Sequence, residues 1–254
     1  MADVPTAEAL RAWGQVEIVG PLAGGHRDEV LELRRAGRRL VARRGRRTPA
    51  ALDWELDLLE FLARHGFRVP EVVPTLTGAR HLGGLVVWRW LPGRPPTAAD
   101  WPRVAAELAR LHRLTRGWPQ RPGFRSTAQL LDHPRGGDVD LTAMPAAAAD
   151  RCRAAWRVLL ADHHRPPAVV HGDPGAPNLR ITAAGVGFLD WDEARVDHPD
   201  LDLADLPDPG LPPARLAAAR AAGHAWEAAC CWRAEPAYAR RRLATLDRPS
   251  PSTP

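Results

Sequence analysis

The stretch Val169-Val170-His171-Gly172-Asp173-Pro174-Gly175-Ala176-Pro177-Asn178, followed by Phe188-Leu189-Asp190-Trp191-Asp192, constrains this chain more than any other. An apolar strand runs into a loop that carries an aspartate and, five positions on, an asparagine. A short hairpin then ends in a second aspartate. Pro174 and Pro177 stiffen the loop, and Gly175 permits backbone angles that other residues avoid. Phosphoryl transfer needs such a set. One carboxylate must orient the attacking hydroxyl and accept its proton, and oxygen ligands must hold a divalent cation on nucleotide phosphates. Asp173 suits the first task. Asn178 and Asp190 suit the second, because Mg²⁺ prefers a few hard oxygen ligands beside phosphate and water.

At these residues a family becomes recognisable. His171-Gly172-Asp173 with Asn178, then Asp190-Trp191-Asp192, resembles the aminoglycoside phosphotransferase and choline kinase group of small-molecule kinases. That group has His-Gly-Asp where protein kinases have His-Arg-Asp, and an aspartate with a variable pair where they have Asp-Phe-Gly. The resemblance implies a bilobal, protein kinase-like α+β fold. Its first lobe, residues 1–92, would hold five antiparallel strands and one helix. Its second, residues 93–248, would be mostly helical, followed by a disordered tail at 249–254. It further implies Mg²⁺ and ATP or GTP between the lobes, and a small-molecule hydroxyl as acceptor.

Composition is compatible with this and excludes other classes. The chain has 254 residues, 45% hydrophobic and 26% charged, enough for a substantial core. No apolar run is long enough to span a bilayer, and the first residues lack a signal-peptide layout. Three cysteines, two of them adjacent, do not form a disulfide framework, so the cytoplasm is the expected compartment. The net charge is +5, but the basic residues are scattered and show no interleaved aromatic stripe, so no nucleic-acid partner is expected. Nothing bears on oligomeric state. All 35 Lys+Arg residues are arginine. The cation that kinases place on the nucleotide must therefore be an arginine here, or be absent.

In chain order, residues 1–14 read as a short amphipathic segment capped by Thr6. Strands are expected at Val16–Val19, Val30–Leu33, Leu40–Arg44, Val69–Val73 and Leu85–Trp88. The glycine turn Gly24-Gly25 between the first two reads equally as a plain hairpin or as a phosphate cover. The family's nucleotide-covering loop lies at this position, so the resemblance assigns Gly24 and Gly25 to the nucleotide. Arg43 sits where the family carries its phosphate-contacting cation, with Arg44 the competitor, since neighbours in a strand face opposite ways. A helix over 50–65 carries leucines at helical spacing and stops at Gly66. Its Glu55 occupies the place of the glutamate that pairs with the strand cation. Trp88-Arg89-Trp90-Leu91-Pro92-Gly93 resembles the inter-lobe hinge, where Trp88 or Trp90 would wall the nucleobase; either is equally a core residue.

The second lobe opens with Thr97-Ala98-Ala99-Asp100, a capping-box variant. A helix follows through His112, which is assigned no chemistry. Residues 116–145 are rich in glycine, proline and aspartate and have no clear period. Helices are expected over 146–164 and, broken near Pro236, over 213–244. In the family, an Asp-Leu-Ala stretch buttresses the catalytic loop; Asp202-Leu203-Ala204 matches it, so Asp202 and His171 are read as supports. Asp192 either assists the metal or is structural. The arginine-rich, acid-poor region after 206 favours a neutral or anionic hydroxyl compound over a polycation. Two alternatives stand beside a kinase. One is a non-catalytic nucleotide-binding regulator on the same fold. The other is a metal-dependent phosphohydrolase, for which His171 and His198 are the only nearby histidine ligands.

Overall fold

Alternation of apolar and polar residues along three segments joined by tight turns builds a sheet. The computed structural model describes residues 6–22, 30–161, 165–207 and 209–247. Strands β1 (Glu17–Pro21), β2 (Val30–Arg35), β3 (Arg38–Arg44) and β4 (Leu85–Arg89) pair antiparallel in the order β1-β2-β3-β4. Gly24 and Gly25 lie outside the described residues.

One face of this sheet carries Leu31, Leu33, Leu40, Ala42, Leu85 and Val87. They pack with Val73 and with Leu10 and Trp13 of the N-terminal segment that begins with helix α1 (Ala7–Leu10). Trp13 Nε1 donates to Val73 O at 2.7 Å, which satisfies the one polar atom of a fully buried indole. Thr6 accepts from Ala9 N, the cap expected of it.

The fifth strand expected at Val69–Val73 does not form. Pro70 and Pro74 remove two backbone donors. The segment makes only single ties to the sheet: Val73 N donates to Val87 O, and Arg89 N donates to Glu71 O, both at 2.8 Å. Helix α2 (Pro49–Arg64) matches the expected span within a residue. Thr48 caps it by accepting from Ala51 N, and Pro49 starts it where a missing N–H costs nothing. Gly66, at φ 79°, ends it.

The chain divides into two compact units. The first comprises residues 1–95 with 176–190, and the second 96–175 with 191–254. The sequence places the change of lobe after residue 92 and keeps 93–248 together; here the hairpin 176–190 belongs with the first unit. Its strands β8 (Leu179–Thr182) and β9 (Gly185–Phe188) explain why. Arg94 and Ile181 exchange backbone bonds in both directions, at 3.1 and 2.7 Å. The Arg68 guanidinium donates to the Thr182 hydroxyl and to Gly185 O, and Phe188 N donates to Arg68 O at 2.9 Å. The tail expected at 249–254 lies outside the described residues.

The second unit is mostly helical. Thr97 and Asp100 form the expected capping box, with Thr97 N donating to Asp100 Oδ2 at 2.7 Å, ahead of α3 (Trp101–Leu114). Residues 116–145 hold short helical turns and a two-residue ladder, β5 (Arg135–Gly136) with β6 (Val139–Asp140). Helices α4 (Ala146–Leu160), α5 (Pro213–Cys231) and α6 (Pro236–Ala244) enclose a core built around Trp156 and Trp226. Their rings meet at 6.4 Å and 54°. Strands β7 (Ala168–Val170) and β10 (Arg195–Asp197) pair antiparallel. None of the three cysteines forms a disulfide. Among the described residues no helix is long and apolar enough to cross a membrane.

Candidate active site

In the second unit, β7 is wholly buried and delivers the chain into the loop at His171. Asp202, 1% exposed, organises that loop. Its carboxylate accepts from His171 N at 2.9 Å, from Gly172 N at 2.9 Å, and from His112 Nε2 at 2.8 Å. Burial works to raise the Asp202 pKa. The hydrogen bond from His112 and the Gly172 N–H outweigh it and hold the group below its ordinary 3.8. The Asp202 carboxylate is thus the ionised anchor of the loop. His112, given no role from sequence, is its partner.

His171 is fully buried. Its ring packs on Trp191 at 4.6 Å, and Nδ1 accepts from Asp173 N at 3.3 Å. Asp173 itself is exposed, its main chain held by these contacts. Gly172 sits at φ +91°, and a Cβ there would stand 2.7 Å from Glu193 Cβ and 2.8 Å from Glu193 O. Neither atom is the free end of a side chain. Gly172→Ala should therefore lower stability by about 2–3 kcal/mol through strain and collision. The melting temperature measures it; an unchanged value would refute the close approach.

In the first unit, hairpin β8–β9 brings Asn178 and Asp190 to one end. Leu179 pairs with Phe188, and Leu189 N donates to Asn178 O at 2.8 Å. Asp190 follows directly, at φ +55°, a left-handed angle unusual for an aspartate. Arg43 on β3 reaches this end: its Nη1 lies 2.6 Å from Asp190 Oδ1, and its Nη2 lies 3.3 Å from Glu55 Oε1 on α2. Glu55 is 2% exposed, Arg43 15% and Asp190 53%. The forked guanidinium spans both carboxylates at once. Arg44, opposite Leu85 on the other face, is not part of this triad.

Trp88 pairs with Val41 and stands two residues from Val86, the partner of Arg43, so it shares Arg43's face of the sheet. Trp90 lies at the far end of β3, its ring 3.6 Å beneath the Arg39 guanidinium. There it lines a cavity of about 320 Å³ with Arg35, Arg38, Arg39 and Arg89.

The donor set suits a hard divalent cation. Asn178 and Asp190 offer oxygens from one hairpin end, and more than half of the Asp190 side chain is open to solvent. Among the described residues, no three His, Cys, Asp or Glu side chains converge as a metal cage. Mg²⁺ on a nucleotide takes one or two protein oxygens and completes its shell with phosphate and water, so these residues fit it. His198, the other histidine read as a possible ligand, is buried and accepts from Asp200 N through Nδ1.

The family model described as the phosphotransferase enzyme family matches residues 18–243. The chain belongs to that family. Among relatives of this phosphotransferase, a probable ketoamine kinase of Thermus thermophilus is 30% identical over 195 residues, covering 72% of this chain and 71% of the relative. A microcompartment-associated aminopropanol kinase has the same fold at TM-score 0.66 and 18% identity, covering 94% of this chain and 92% of its own. An aminoglycoside phosphotransferase, solved with AMP-PNP and hygromycin B, aligns at TM-score 0.64 and 16% identity over 96% and 97% of the two chains. The phosphotransferase therefore has the protein kinase-like fold, and it is a small-molecule kinase.

Proposed function

We propose that this phosphotransferase moves the γ-phosphoryl group of ATP or GTP, with Mg²⁺, to a hydroxyl of a small molecule. The observation that carries this reading is the loop from Asp173 to Asn178 with the hairpin that returns Asp190 to Arg43 and Glu55. Asp173 orients the acceptor hydroxyl. As the acceptor oxygen bonds to the γ-phosphorus, the bond from that phosphorus to the β,γ-bridging oxygen breaks, and the nucleoside diphosphate leaves. The hydroxyl proton passes to Asp173 and then to solvent. A carboxylate is a weak base, so orientation is the larger part of its work. Arg43 holds phosphate oxygens and Glu55 keeps Arg43 extended. Asn178 and Asp190 would hold Mg²⁺, which when bound neutralises phosphate charge. Trp88 walls the nucleobase. A phosphohydrolase would want several histidines beside the carboxylates, and among the described residues no three His, Cys, Asp or Glu side chains converge.

Two acceptor classes follow. The relatives named as ketoamine and aminopropanol kinases point to an amine beside the hydroxyl. The arginine-rich, acid-poor region after 206 points instead to a neutral or anionic hydroxyl compound.

Thermal unfolding with ATP or GTP, with and without Mg²⁺, tests the reading. A nucleotide at 100 times its Kd should add about 2.7 kcal/mol to stability, and only with Mg²⁺ in full. Amino alcohols and polyols are then compared as triggers of ADP or GDP release. Stabilisation by Mg²⁺–nucleotide with no acceptor-dependent release of ADP or GDP would favour the non-catalytic alternative, and no stabilisation by either nucleotide would count against both.

A further inference from the structure

We infer that Arg121 is a positioning residue for Asp190, an inference that rests on the Mg²⁺–nucleotide reading above. Arg121 is 1% exposed. Its Nη1 donates to three carbonyls of the segment that follows Asp190: Trp191 O at 3.1 Å, Asp192 O at 2.9 Å and Ala194 O at 3.2 Å. Arginine is the side chain that can send a permanently charged, planar fork into a buried turn and leave donors for several oxygens. Burying that charge is costly unless its hydrogen bonds are made, so the arrangement holds both sides tightly.

The neighbours of Arg121 reinforce the grip. Gln120 bonds Val196 in both directions, Nε2 donating to Val196 O at 2.8 Å and Oε1 accepting from Val196 N at 2.9 Å. Thr127 N and its hydroxyl both donate to the Asp197 carboxylate. Residues 120–127 therefore run along 191–197 as a clasp made of side-chain bonds to backbone and carboxylate.

What the clasp secures is an unfavourable backbone angle. Asp190 is held at φ +55°, which costs an L-residue of this kind about 1–2 kcal/mol and persists only when its surroundings over-determine it. Trp191, the next residue, is pinned on both sides: its ring by His171 and its carbonyl by Arg121. With the turn fixed one peptide further on, the Asp190 carboxylate keeps the direction that meets Arg43. Without Arg121 the turn can relax to ordinary angles and swing that carboxylate away.

The experiment is a Mg²⁺ titration of ADP binding, by calorimetry, in the full chain and in Arg121→Met, a side chain of similar length without donors. Arg121→Met should raise the Mg²⁺ midpoint about tenfold or more, the usual cost of losing a partner that orients a metal ligand, while metal-free ADP affinity stays within about twofold. An unchanged midpoint in a folded variant overturns the inference. So does a parallel loss of metal-free and metal-dependent binding, which marks a structural residue only. If Arg121→Met shows no cooperative melt, Arg121→Lys takes its place. The lysine ammonium stops one bond short of the position of Nη1, so the midpoint should still rise about threefold, and a wild-type midpoint overturns the inference. A wild-type chain whose ADP binding ignores Mg²⁺ would instead overturn the underlying reading.

Discussion

Replacing Asp173 by alanine should reduce acceptor-dependent turnover about 10²- to 10⁴-fold, the range for loss of a positioned acid–base group. At 1.36 kcal/mol per decade this is about 2.7–5.4 kcal/mol of transition-state stabilisation. Asp173 is exposed, and its contact with His171 Nδ1 comes from the main-chain N–H, which alanine keeps. Stabilisation by Mg²⁺–nucleotide should therefore match the parent. Near-normal release of ADP or GDP from Asp173→Ala, with any acceptor that works on the parent, would sink the mechanism.

Replacing Asp202 by alanine should act the other way, through stability. It strips the acceptor from three buried or half-buried donors, the N–H groups of His171 and Gly172 and the Nε2 of His112. Leaving a buried donor without its acceptor costs about 1–3 kcal/mol, so losing three is a large share of the 5–15 kcal/mol of a whole domain. Denaturant unfolding measures the loss. Asp202→Asn keeps an acceptor oxygen and should recover part of it; equal losses in both variants would mean that the bonds to the loop are not what matters. The pH dependence carries its own sign. Because the folded pKa lies below 3.8, the contribution of this carboxylate is complete above the ordinary value and is lost as pH falls through the folded one. Stability against pH below about 4 should be shallower in Asp202→Asn than in the parent.

The sequence carries the site better than it carries its supports. The spacing of Asp173 and Asn178 is legible because both lie in one short loop, whereas the Arg43–Glu55 pairing came from the family resemblance, since strand alternation alone leaves Arg43 and Arg44 as equals. Helix ends are legible where a cap is local, as at Thr6 and Thr97. Strand Val69–Val73 misleads because the apolar pattern outweighs the two prolines that prevent a ladder. The change of unit at 176–190 is invisible to pattern because it depends on Arg68 and Arg94, more than 80 residues upstream. Arg121 and His112 are missed for a related cause. Their partners lie about 70 and 90 residues away, and a buried arginine among 35 basic residues has no signature in composition. A polar residue on the apolar stripe of α3 was the one available hint for His112.

The discontinuous first unit has a consequence for how the protein is made. Its four-stranded sheet can assemble once β4 has been synthesised, but the hairpin that completes the unit is encoded after the whole of 96–175. At about 5–20 residues per second, those intervening residues keep an emerging chain waiting roughly 4–16 s. During that interval the edges later met by Arg94–Ile181 and Arg68–Phe188 have no partner from their own chain. This stretch of translation is when a nascent chain of this kind most needs a chaperone, and a codon-level slowdown between residues 96 and 190 would lengthen its exposure.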